Sequence, residues 1–467
     1  MFSRAERRRP RVKQEDLQGN VLCGYGNKYR YGLYSFVHVH QPAAARAWLG
    51  ELLDDVTNAV HWEPGEEPEA TLNLALTFEG LGAVGVSGDR RESFPEDFRE
   101  GMEARAELLG DTRQDDPENW DAGLRPGEPH VLLTATARSA DVLTRRRRSL
   151  QEAVARSQGG LEIVHEVPAA LLDSDGKDQF GREHFGFADG LAQPSIVGDG
   201  VGPYERPGKG VPAQDGGWRP IEAGEFVLGY RDEDGIRPRA PEEPFDRDCS
   251  FMVVRKLHQD VAAFAACLRL QARDGRDEEL VAAKIFGRWR DGTPLVNSPD
   301  ARELAFLDKR ERAQTINDFG YGDDPDGFRC PLGAHIRRAN PRDTFGFDHL
   351  RTLRHRIIRR GMPYGPPPVD PLFPDSVDRG LMFVCYQASI ERQFEVVQGW
   401  LNDGDAFGLG DEKDFLVAGE EPGGYMTIQG EPTNYLRRGA QLVTLKGGGY
   451  FFTPSIPALR EIAAGRA

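Results

Sequence analysis

Cysteine, methionine and tryptophan are scarce in this chain, with 5, 6 and 6 copies among 467 residues. The cysteines (Cys23, Cys249, Cys267, Cys330, Cys385) are odd in number, widely spaced, and never form a C-x-x-C pair. That spacing excludes a cysteine-rich zinc module and fits reduced thiols in a cytoplasmic protein. Long apolar runs are missing too. The Arg-rich stretch Met1 to Lys13 leads into Gln14, Glu15 and Asp16 rather than an apolar core, so neither a membrane span nor a secretory signal is expected. Positive charge is in deficit: 59 Lys+Arg stand against 75 Asp+Glu, a net charge of −16, which argues against a nucleic-acid partner held by a basic surface.

What is present is globular. The chain is 39% hydrophobic and 29% charged, and it exceeds the roughly 100–200 residues that one core fills. Two domains or one duplicated unit are expected. Strand-like residues at Leu33 to His40, Thr71 to Phe78, His130 to Ala137 and Leu161 to Val167 alternate with helical spacing at Ala43 to Val56 and Ala140 to Arg156. Without a polar, helical insertion through Gly110, the order is βαββαβ. After a Gly/Pro-rich middle the order resumes: strand Phe251 to Arg255, helix Asp260 to Gln271, strand Leu381 to Gln387, helix Ile390 to Leu401, strand Gln441 to Leu445. One strand is missing and is expected near Phe328 to Ala334. The fold class is therefore α+β, two ferredoxin-like halves with antiparallel sheets covered by helices. The boundaries expected are 1–185, a connecting region 186–245, and 246–467.

Among ten histidines, His38 and His40 alternate on a strand and share a face, a two-ligand metal pair with no third ligand at a recognisable spacing. His335 stands apart in Cys330-Pro-Leu-Gly-Ala-His335-Ile-Arg-Arg-Ala-Asn-Pro-Arg342, where one imidazole precedes three arginines. An imidazole for iron and arginines for two propionates would suit a ferric porphyrin; a solvated basic turn is the alternative. Asp189, in Phe185-Gly-Phe-Ala-Asp189-Gly190, is a lone carboxylate between glycines that let the backbone approach a flat ligand. An Asx-type turn would explain the same residues. In Ile357-Ile-Arg359-Arg360-Gly-Met-Pro-Tyr-Gly365, a cation is delivered beside apolar residues and calls for an anion, or else marks a basic surface turn.

Together these segments resemble the dye-decolourising (DyP-type) haem peroxidases. The resemblance rests on G-x-x-D-G at Gly186 to Gly190, on Cys330 to Arg342, and on R-x-G-M-P-Y-G at Arg359 to Gly365, in that order. It implies a fold of the dimeric α+β barrel superfamily and one haem b per chain. It makes His335 the axial iron ligand, with Asp414 as the carboxylate behind it. Asp189 would be the distal proton carrier and Arg359 the distal cation, with the adjacent Arg360 as alternative. Arg342 would pair a propionate, and Leu381 and Phe383 would wall the distal pocket. The activity implied is heterolysis of hydrogen peroxide through a ferryl intermediate, followed by one-electron oxidation of dyes, phenolics or Mn(II). Bulky donors would need a surface relay, for which Trp289, Trp400, Tyr364 and Tyr386 are available. A Mn(II) site would need acids such as Asp260, Asp274, Asp277, Glu278 and Glu279. A non-enzymatic haem carrier or sensor, or a protein removing iron from haem, would be the alternatives on this fold.

Overall fold

Strand β1, Tyr31–Val39, sends Tyr34 and Phe36 to one face and Leu33, Val37 and Val39 to the other, and both faces are buried. A strand covered on both sides reads as a continuous apolar run, as this one does. Pro42 opens helix α1, Pro42–Leu52, which buries Ala45, Trp48, Leu49 and Leu52 along one stripe. Strands β2, Ala70–Leu76, and β3, Val131–Ala137, follow. Helix α2, Ala140–Ala155, is capped by Ser139, whose hydroxyl accepts from Val142 N. Strand β4, Leu161–Ala170, completes the half. The computed structural model describes residues 12–25, 28–172, 181–200, 207–213, 217–272, 277–300, 311, 315–346, 350–419 and 424–467.

The second half repeats the order: β5, Ser250–Gln259; α3, Val261–Ala272; β6, Met362–Tyr364; β7, Gly380–Gln387; α6, Val396–Asn402; and β8, Val443–Thr453. Helices α4, Glu278–Phe286, and α5, His335–Ala339, lie between α3 and β6. Asp260 caps α3 as expected, its carboxylate accepting from Ala263 N at 2.8 Å. The strand expected near Phe328 to Ala334 is instead a series of turns leading into α5. The missing strand is β6, three residues long with Pro363 at its centre, too short and too broken for a period-2 signal. The helix expected from Ile390 opens as a π-helical turn, Ile390–Glu395, before α6.

The halves run in the antiparallel orders β2-β3-β1-β4 and β8-β5-β7-β6. They meet where Phe452 faces Leu76 and where Ala169 faces Tyr364, which closes all eight strands into one barrel. Inside it, Tyr34, Phe36, Leu132, Val167, Met252, Val254, Met382, Val384 and Phe451 form a shared core. Each such side chain contributes about 1.5–3 kcal/mol by its burial. Because strand residues alternate, Arg255, Leu257 and Gln259 of β5 and Leu381 and Phe383 of β7 point out of the barrel, and they line a cavity there. Among the described residues, no helix is long and apolar enough to cross a membrane.

Candidate functional site

The cavity, about 280 Å³, lies between the outer face of β5 and β7 and a cover built from α4, α5, α6 and the loops at 183–192 and 355–359. Its floor is set by the turn Pro331 to Gly333, which delivers His335 at the start of α5. His335 lines the cavity, and its Nδ1 donates to Asp414 Oδ2 at 3.0 Å. The Asp414 side chain is 0% exposed, and its other oxygen accepts from Leu416 N and Val417 N, both at 2.9 Å. Burial alone would raise the Asp414 carboxyl, but the His335 imidazole, the Val417 amide and Arg338 hold it below the usual carboxylate range. With Nδ1 so engaged, Nε2 is the nitrogen left for a metal, and the carboxylate behind the ring raises its basicity.

The three arginines after His335 separate in the structure. Arg337 bonds Asp324 and the Cys330 carbonyl, and Arg338 bonds the carbonyls of Trp400, Asp403 and Glu412. Both are fully buried scaffold. Arg342 alone of the three lines the cavity, its Nη1 held by the carbonyls of Asn317 and Phe319 and its guanidinium 3.7 Å from the Phe319 ring centroid. Four more arginines line the same cavity: Arg255, Arg288, Arg356 and Arg359. Burial and then Arg342 push the Arg288 guanidinium down to about 9, and burial, Arg342 and Arg359 do the same to Arg356. Tyr321 adds a buried hydroxyl with no partner among the described residues. Crowded, desolvated cations beside an unused donor call for an anionic ligand. An imidazole at one side and such a cluster at the other fit a haem with its two carboxylates.

On the other side stands Asp189. Gly186 (φ 89°) and Gly190 (φ 78°) both occupy left-handed conformations, turning the chain twice within five residues. Asp189 Oδ1 accepts from Arg359 Nη1 at 2.9 Å and from Gly190 N at 2.6 Å, and Asp189 lines the cavity. Arg359 sits on a two-residue strand beside β7, with its amide donating to Gln193 Oε1. Arg360 does not line the cavity and is half-buried, donating to the carbonyls of Asn20 and Leu22. The alternation of side chains along a strand separates the two neighbours. Leu381 and Phe383 are both on the cavity wall.

Other candidates lie elsewhere. His38 and His40 do share a surface, and the structure adds His130, stacked 4.1 Å from His38. His349 and Asp274 lie outside the described residues. Asp260 and Asp277 cap helices, and Glu279 pairs Arg290. Trp289, Tyr364 and Tyr386 are buried, whereas Trp400 is half-buried and 5.2 Å, edge to face, from the ring of His355, which lines the cavity. Sequence reasoning missed Arg356, His355 and Glu183. No motif marks the first two, while Glu183 stands just before the Gly-rich segment, where a buried acid could have been suspected.

The chain is similar to known proteins over nearly its whole length. A family model, "Dyp-type peroxidase, C-terminal", matches residues 236–412. The chain is 30% identical to a multifunctional dye peroxidase of an Amycolatopsis species, across 96% of this chain and 95% of that one. It is 28% identical to the dye-decolorizing peroxidase msp1 of Mycetinis scorodonius, across 96% and 87%. A dye-decolorizing peroxidase solved in complex with 2,6-dimethoxyphenol superposes with a TM-score of 0.79 at 28% identity, covering 97% of this chain and 100% of that one.

Proposed function

The chain belongs to the dye-decolourising peroxidase family, and from that premise we propose that it holds one haem b in the described cavity and uses hydrogen peroxide to oxidise aromatic dyes and phenols. The observation that carries this reading is one cavity faced by two pairs, His335 with Asp414 and Asp189 with Arg359. His335 Nε2 would bind the iron, and Arg342 with Arg356 would pair the carboxylates. Bound there, haem would supply the iron chemistry that reduces peroxide and draws single electrons from the donor.

The remaining steps belong to this chain's side chains. Asp189, which lines the cavity, would take a proton from one oxygen of the peroxide and return it to the other, so that the leaving oxygen departs as water. Arg359, which donates to Asp189 Oδ1 at 2.9 Å, would compensate the charge that grows on that oxygen. Leu381 and Phe383 exclude bulky molecules, so large donors must be oxidised from outside. Trp400, touching both His355 and solvent, is the exit we assign for electrons.

A structural neighbour's complex with 2,6-dimethoxyphenol supports phenols as donors. The helix caps and the Arg290 pair that engage Asp260, Asp277 and Glu279 favour organic donors over Mn(II). All five cysteines are unpaired, which supports a reducing, cytoplasmic setting.

The test is a stopped-flow absorption record of the haem-loaded protein mixed with one equivalent of peroxide, beside Asp189→Asn and Arg359→Leu. The wild type should lose Soret intensity at once and regain it with a phenol. Each variant should retain haem and react about 10²–10³-fold more slowly. Equal rates in all three proteins would remove both residues from the reaction.

A further inference from the structure

The loop that carries Asp189 is wrapped around a carboxylate of its own. Phe185 N donates to Glu183 Oε2 and Phe187 N to Glu183 Oε1, each at 2.8 Å, and Gln259 Nε2 donates to Oε2 at 2.5 Å. Two amides two residues apart converge because Gly186 between them is left-handed, the arrangement by which backbone amides form an anion nest. The outer face of the loop is held as well: Arg182 Nη1 donates to the Gly186 carbonyl at 2.6 Å, and Arg290 bonds the Phe185 carbonyl. Glu183, Phe185 and Phe187 are each less than 10% exposed, and the Phe187 ring stacks on Phe286.

A buried carboxylate is a costly way to satisfy two amides. What it adds is direction, since both of its oxygens are spoken for and one is fixed to Gln259. Gln259 ends β5, the strand whose outer face forms the cavity wall. The Gln259 Oε1 has no partner among the described residues, so the amide is oriented by Glu183. Burial pushes the Glu183 carboxyl up, against the bonds from Gln259, Phe185 and Phe187, and the charge of Asp189 pushes the same way.

We propose that Glu183 is a positioning residue: clamped by Gln259, its carboxylate fixes the Phe185–Phe187 backbone and thereby sets where Asp189 reaches into the cavity. The inference rests on the reading of Asp189 as the proton-handling group. It is tested with Glu183→Gln, which keeps the size but loses one acceptor, and Gln259→Leu, which removes the clamp and leaves the carboxylate. Amide hydrogen exchange at Phe185 and Phe187, followed in the haem-free proteins, should quicken at least about tenfold in both variants. In the haem-loaded proteins the second-order rate with peroxide should fall about tenfold, a larger change than in haem affinity or in donor oxidation at saturating peroxide. Faster exchange with an unchanged peroxide rate would leave Glu183 merely structural and overturn the proposal. Should Glu183→Gln fail to fold, Gln259→Leu decides on the same readouts. Asp189→Asn, run alongside, separates the two ideas: if it slows the peroxide step and the clamp variants do not, only the clamp falls; if it does not, the reading of Asp189 falls and the clamp with it.

Discussion

The two sides of the cavity are built to opposite specifications. The His335–Asp414 pair is anchored through its carboxylate, which is 0% exposed and satisfies two backbone amides besides the ring. The Asp189–Arg359 pair is open, at 29% and 35%. A ligand kept through every turnover needs fixed geometry and a dry environment, whereas a site that admits and releases small molecules must leave its groups within reach of water. An open ion pair also contributes only about 0–1 kcal/mol to stability. One side is therefore coupled to the fold and the other is free to serve the reaction.

Substitutions on the anchored side should have the largest effects. His335→Ala should abolish stable haem uptake, read as loss of the Soret band on titration with haem. Asp414→Asn should retain haem with affinity weakened about 10–100-fold, and because a buried bond network is cut, it should also lower thermal stability. On the open side, Asp189→Asn and Arg359→Leu should shift unfolding free energy by no more than about 1 kcal/mol. Equal stability losses on both sides, measured by urea unfolding of the haem-free proteins, would erase the contrast.

A smaller effect should separate donors by size. Trp400→Phe removes the indole that lies between His355 and solvent. We expect oxidation of a bulky anthraquinone dye to fall several-fold, with the peroxide step unchanged. If the dye rate holds while Leu381→Ala raises it, large donors enter the cavity instead.

The sequence made parts of this molecule plain and others invisible, for identifiable reasons. The strands of the first half could be found within a few residues because β-branched and aromatic runs are bounded by polar turns. Barrel closure could not, since it depends on single contacts, Phe452 with Leu76 and Ala169 with Tyr364, that carry no local signal. His335, Asp189 and Arg359 lay in segments rich in glycine, proline and charge. Asp414 entered only as what the family resemblance implied, since an acid before the apolar run Phe415 to Ala418 carries no local signal that ties it to His335. Arg359 and Arg360 could not be distinguished, because which neighbour faces the cavity is fixed only by the pairing of Cys385 with Arg359. Arg356 was hidden for the opposite reason: in Arg354-His-Arg356 nothing but the tertiary fold selects one guanidinium.

The least effect is expected far from the cavity, at the histidine stack where β1 ends. His130 packs 4.1 Å from His38, which packs 4.7 Å from His40, and its Nδ1 accepts from Val39 N at 3.0 Å. Burial first, then the charges of His38 and His40, bring His130 down to about 4, against the pull of the Val39 bond. The groups facing the stack are the Glu128 carbonyl on His38 and the Glu162 carboxylate on His40. A histidine with a depressed folded pKa adds nothing above its unfolded value near 6.5, where both states are neutral. As pH falls below that, the unfolded chain takes up the proton first, so stability is lost progressively down to about 4. Because the ring is only half-buried, the loss should be about 1 kcal/mol after solvent screening. His130→Asn keeps an acceptor near the position of Nδ1 and removes the titration. Urea unfolding of both proteins at neutral pH and near pH 4.5 should show the wild type losing about 1 kcal/mol more than the variant on acidification. A parallel loss in the two would mean that the stack does not titrate on folding.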